Sequence, residues 1–150
     1  MKTVTVSKFP ALTIKNGTVD LVFSEEQLTT CTAQALKNGW FNGLTIVDSE
    51  GKRYIVERAE FVRKKGTRLF KSLFAPKLIE VRLIFKEGSP FPVPLEDLKR
   101  YLTKALDSNS GFWESAGIDI RELKQRIQQS SSVDEIMALV TPILTAAPAR

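Results

Sequence analysis

The chain has 150 residues, 43% hydrophobic and 26% charged, with one cysteine, no histidine and a net charge of +5. Such a length and balance predict a globular protein of one domain and exclude a disordered or fibrous chain. A disulfide within the chain, Ser-His-Asp and Cys-His nucleophile systems, histidine-held haem and the ordinary zinc sites are excluded by the same counts.

Thr3–Val6 alternates polar and apolar residues, and Leu12–Ile14 and Val19–Phe23 flank Asn16-Gly17. Asn-Gly between apolar runs signals a hairpin, because both residues tolerate positive φ. Strands are expected near 3–7, 11–15 and 19–23. Ser24 with Gln27 makes a capping box, and Glu25 and Glu26 suit a helix start. Leu28, Cys31, Ala35 and Leu36 then recur at helical spacing, which predicts one helix ending at Asn38-Gly39. Cys31 on that stripe reads as a small core residue.

Leu44–Val47 and Arg53–Val62 read as a second hairpin around the turn Asp48-Ser49-Glu50-Gly51. A polar connection follows, then one or two helical turns at Leu69–Ala75, ended by Pro76. Lys77–Lys86 alternates most clearly, with Ile79, Val81, Leu83 and Phe85 on one side. Residues 87–94 hold Gly88, Pro90, Pro92 and Pro94 and read as a stiff extended linker. Three helices complete the chain: one opening at Pro94, one at Asp119 with Glu122, and one at Ser132 with Glu135. Pro142 is expected to kink or end the last, leaving a frayed tail.

Strands followed by helices predict an α+β fold. Its sheet should be antiparallel, of about five or six strands, with helices on one face and an all-helical C-terminal part. The domain is expected over 1–145, with linker 87–94 inside it and a tail at 146–150. No apolar run approaches the roughly 20 residues of a membrane span, and Met1–Ile14 lacks a secretory h-region. Both point to a cytoplasmic protein without integral membrane association.

Phosphate-binding glycine patterns and nucleophile motifs are absent, and nothing in the sequence places two carboxylates or lysines together. The reading therefore leans away from an enzyme, with no catalytic, metal or cofactor site assigned. Trp40-Phe41 and Phe112-Trp113 lie in or beside loops. Exposed, they would anchor a protein partner or a second copy; buried, they would seal the core. At most one of each pair should be free.

The charge is uneven. Residues 52–86 hold eleven basic and three acidic residues, net +8, and the rest hold eleven and fourteen, net −3. Arg63, Lys64, Lys65, Arg68, Lys71 and Lys77 interleave with Phe70 and Phe74. They are candidates for nucleic acid, an acidic partner or an anionic membrane surface. A nucleic-acid site over 53–77 requires Arg53, Arg58 and these cations to share a face, and no nucleic-acid-binding signature supports it.

A non-catalytic protein-binding module is the favoured reading, with nucleic-acid binding through 53–77 the alternative. In size and element order the chain loosely resembles the small α+β proteins that bacteria use as immunity proteins or inhibitors, though no motif carries the likeness. That resemblance implies a protein partner. Inhibitors of basic nucleases are usually acidic, so this basic chain would suit an acidic partner. An adaptor role is equally compatible.

Overall fold

Asn16 and Gly17 take positive φ, 49° and 78°. This is the turn that a two-residue hairpin needs. It sets β1 (Ala11–Lys15) against β2 (Thr18–Val22) with Lys15 opposite Thr18. The computed structural model describes residues 4–65 and 78–146. Within them β4 (Thr45–Val47), β5 (Lys52–Lys64) and β6 (Leu78–Phe85) continue an antiparallel sheet. Its order is β2-β1-β4-β5-β6-β3, where β3 is Thr30–Thr32, with the two-residue β7 (Phe91–Pro92) beside β5.

The helix expected from Ser24 is broken. Ser24 caps α1 (Glu25–Thr29) through its Oγ, 3.1 Å from the Gln27 N–H, and Gln27 Oε1 accepts from the Phe23 N–H at 2.8 Å. But Thr30–Thr32 leaves the helix as β3 and pairs with β6 before α2 (Ala33–Lys37) begins. The run Thr29-Thr30-Cys31-Thr32 is rich in β-branched residues, which lose rotamer freedom in a helix and pack well on a sheet. Ladder bonds to β6 therefore outweigh the helical spacing.

That pairing bends the sheet. β2 and β3 lie at its opposite ends, yet only residues 23–29 join them. A flat six-stranded sheet would hold its edges roughly 24 Å apart, while a five-residue helix advances only about 7.5 Å. The sheet must curl.

Alternation along the strands feeds two cores. Leu12, Ile14, Val19 and Val47 face the helices, packing with Leu98, Leu102, Trp113, Ile127 and Ile136. Ala11, Ile46, Tyr54, Val56, Ile79 and Val81 fill the opposite, inner side with Leu28, Phe41 and Leu44. The helical layer comprises α3 (Leu95–Ser108), α4 (Ser110–Ser115), α5 (Ile120–Gln129) and α6 (Val133–Ala146).

Three further expectations change. Residues 4–7 lie outside the sheet, although Val6 is buried. The presumed linker contributes β7, and Val93 N–H donates to the Gly51 carbonyl at 2.9 Å. Proline is admissible at such a strand edge, where no donor is needed. Finally, α6 does not end at Pro142 but runs on to Ala146, with Leu139, Ile143 and Leu144 packed on the core. Burial of that apolar stripe offsets the one backbone bond that proline forfeits. The turns expected at Leu69–Ala75, and residues 147–150 of the tail, lie outside the described residues.

Candidate interaction site

The first aromatic pair is split by the end of α2. Gly39 adopts φ 72°, its N–H donates to the Leu36 carbonyl at 3.1 Å, and Trp40 N–H donates to the Ala35 carbonyl at 3.1 Å. This glycine-terminated cap closes the helix and turns the chain sharply. Phe41 then enters the inner core at 4% exposure, while Trp40 remains 40% exposed.

Lys15 fixes the loop that carries Trp40. Its ammonium donates to the carbonyls of Gly39 (3.2 Å) and Asn42 (2.8 Å) and to that of Trp40, and it lies 5.4 Å from the indole centroid. Burial holds the Lys15 pKa below its ordinary value. The three carbonyls and the ring stand in for the lost water. The result is an exposed indole on a loop held at its backbone.

Beside Trp40 is a cleft of about 360 Å³ where the curl brings β2 and β3 near each other, lined by Asp20, Val22, Gln27, Thr30, Cys31 and Trp40. Among the described residues β2 pairs only with β1, and β3 only with β6. Cys31 is half-buried there, and burial pushes its thiol pKa up, away from the reactive thiolate. Phe23, next to Val22, is 51% exposed. No separate signal marks it in the sequence, because it closes what reads as a regular strand.

The second aromatic pair is mostly core. Trp113 is 3% exposed on α4, and Phe112 is half-buried with its ring edge-on to Trp113, centroids 5.0 Å apart.

The basic stretch is interlocked with glutamates. Across β5 and β6, Glu60 bridges Arg82 (3.0 Å) and Arg58 (3.8 Å), and Arg63 meets Glu80 at 3.1 Å. Hydrogen bonding from Arg82 holds the Glu60 carboxyl below its ordinary pKa. Lys65 reaches Glu26 of α1 at 3.2 Å, and Lys64 is exposed. Arg53 does not join them. Its Nη1 donates to Asp97 (3.1 Å) and to the Tyr101 hydroxyl oxygen (2.8 Å), and its guanidinium lies 4.5 Å from the Phe91 ring centre. Arg68, Lys71 and Lys77 lie outside the described residues. A larger cleft, about 680 Å³, runs between Val4–Val6, α1 and β6, with both the Arg63–Glu80 and Lys65–Glu26 pairs in its walls.

Asp48 organises the β4–β5 turn, as its place in the sequence implied. One carboxylate oxygen accepts from the Glu50 and Lys52 N–H groups, both at 2.9 Å, and the other from the Tyr54 hydroxyl at 3.2 Å. Burial, then the charges of Asp48 and Glu50, raise the Tyr54 pKa from 10.0 to about 12. The neutral phenol is therefore the folded form. Its stabilisation is complete below pH 10 and is lost as pH climbs toward 12, in total about 2–3 kcal/mol. A tyrosinate absorbance titration should show Tyr54 ionising near pH 12. Tyr54→Phe should abolish that step and flatten the decline in stability.

Among the described residues no three His, Cys, Asp or Glu side chains gather as a metal set, and no helix is long and apolar enough to cross a membrane. The chain matches no protein-family model, curated protein or solved structure.

Proposed function

We propose that this chain is a non-catalytic protein-binding module of the inhibitor or adaptor type, with Trp40 as its anchor. The observation that carries the reading is an indole 40% exposed on a loop whose three carbonyls are clamped by one ammonium. Tryptophan is enriched among the residues that dominate binding energy, and an anchor already held in place loses little entropy on docking. The adjacent cleft, which Trp40 lines, extends the same surface. The alternative, nucleic acid on 53–77, draws less support because Arg53, Arg63 and Lys65 are already engaged by carboxylates.

The test is affinity capture from nuclease-treated lysate of the source cells, repeated with Trp40→Ala. A partner held by the wild type should bind the variant at least about 30-fold more weakly, the effect of losing a hot-spot side chain. Equal capture by both proteins would refute the assignment. Retention only before nuclease treatment, lost at high salt, would favour nucleic acid.

A further inference from the structure

The cleft beside Trp40 lies between two strand edges whose free backbone groups follow from the register. In the Asn16-Gly17 hairpin Lys15 and Thr18 form the closing hydrogen-bonded pair, and such pairs recur at every second residue. Asp20 and Val22 therefore bond to β1, while Val19 and Leu21 turn their N–H and C=O groups away from it. Val19 is covered, at 1% exposure, but Leu21 is half-buried and lines the cleft. On the other wall, Lys65 N–H donates to the Leu78 carbonyl at 3.0 Å, so Leu78 and Glu80 face β5 and Ile79 faces β3. Cys31, opposite Ile79, takes those bonds. Thr30 and Thr32 then present backbone groups outward, and Thr30 lines the cleft. Among the described residues neither outer edge has another strand beside it.

The free groups match one kind of occupant. Neighbouring strands along the sheet are all antiparallel, which leaves β2 and β3 running in opposite directions. A strand between them is antiparallel to one and parallel to the other. Leu21 can exchange both its bonds with a residue antiparallel to it. The Thr30 carbonyl and the Thr32 N–H flank Cys31 as a parallel partner requires. The reverse direction would need the covered Val19. Two successive residues of such a segment make four main-chain bonds. The residue opposite Cys31 lies over the inner core, where Leu28, Phe41 and Leu44 line the cleft, so an apolar side chain suits it. The space, about 360 Å³, fits a short segment, whereas an apolar small molecule would leave the edge groups unpaired.

We infer that the partner adds a strand here: an extended segment, antiparallel to β2 and parallel to β3, with an apolar side chain opposite Cys31. Strand addition to a free edge gives affinity through main-chain bonds and specificity through alternate side chains. The inference rests on reading the Trp40 face as a protein-binding surface and adds the element that the partner offers.

The experiment pans the full chain against phage-displayed random linear dodecapeptides and synthesises a recovered peptide. Methylating its amide nitrogens one at a time should weaken binding at least about tenfold at two successive residues, one lost hydrogen bond each. Binding should also slow amide exchange at Leu21 and Thr32 at least about tenfold. Thr32 has φ −79°, which proline accepts. Thr32→Pro and Thr32→Ala both forfeit the Oγ1 cap on the Ala35 N–H at 3.1 Å, but only proline removes the Thr32 N–H. The proline variant should therefore bind the peptide about tenfold more weakly than the alanine variant. Recovery of no peptide, tolerance of methylation at every residue, or sensitivity only at alternate residues, the mark of a single edge, would overturn the inference. So would unchanged exchange at both amides, equal binding by the two Thr32 variants, or a concentration-dependent dimer that protects the same amides. Trp40-dependent capture with Leu21 and Thr32 still exchanging freely would overturn it and leave the anchor standing. Peptide binding indifferent to Trp40→Ala would remove the anchor alone.

Discussion

Replacing Asp48 with alanine is expected to cost about 3–5 kcal/mol of stability, enough to remove much of a small domain's margin. Asp48 is only 1% exposed. Its carboxylate is the acceptor for two N–H groups of the turn and for the Tyr54 hydroxyl. Alanine leaves all three donors without it, and the Tyr54 hydroxyl sits in a residue that is 4% exposed. The turn is also a junction. Ser49 N–H donates to the Lys8 carbonyl at 3.2 Å, and Val93 N–H donates to the Gly51 carbonyl at 2.9 Å, so the N-terminal segment and the approach to α3 both depend on it. Asp48→Asn keeps an oxygen for the two N–H groups while removing the charge, and should cost only about 1–2 kcal/mol. Urea unfolding of the two variants measures the difference. An alanine variant as stable as the wild type would show that the turn holds without its carboxylate.

Trp113→Ala should cost about 3–5 kcal/mol, because it empties the centre of the helical layer. The indole is 3% exposed among Leu102, Leu106, Leu123 and Ile127. Trp40→Ala should cost under about 1 kcal/mol, since a side chain 40% exposed leaves no closed cavity. The two tryptophans thus separate cleanly. One should govern stability with little direct effect on a partner, and the other should do the reverse. Denaturant unfolding followed by circular dichroism, beside the capture experiment, reads both. A Trp113 variant of unchanged stability would contradict the packing described here.

The ion-pair ladder on the hairpin qualifies the basic stretch. Counted along the chain, residues 52–86 look strongly cationic. In the sheet, three of those arginines meet glutamates of the same two strands. Exposed pairs of this kind add at most about 1 kcal/mol each. They do match the arginines on the described part of these strands with carboxylates. Linear sequence could not show this, because the pairing of Glu60 with Arg82 is set by strand register.

Local chemistry made much of the fold legible. The Asn16-Gly17 hairpin, the Ser24 cap, the Asn38-Gly39 stop, the Asp48 turn and the Pro94 helix start each depend on atoms within a few residues, so their signals survive without tertiary context. The α+β order followed from the alternation of β6 and the helical spacing after Pro94. What the sequence concealed depends on contacts between distant segments. Thr30–Thr32 becomes a strand because β6, some fifty residues later, supplies its ladder. Closing that pair curls the sheet and forms the cleft beside Trp40. A register slip against β6 exposes Phe61 and Val62 together. Which member of each aromatic pair faces water was likewise decided by packing. Burial is a property of whatever lies opposite a side chain, and spacing along the chain carries no record of it.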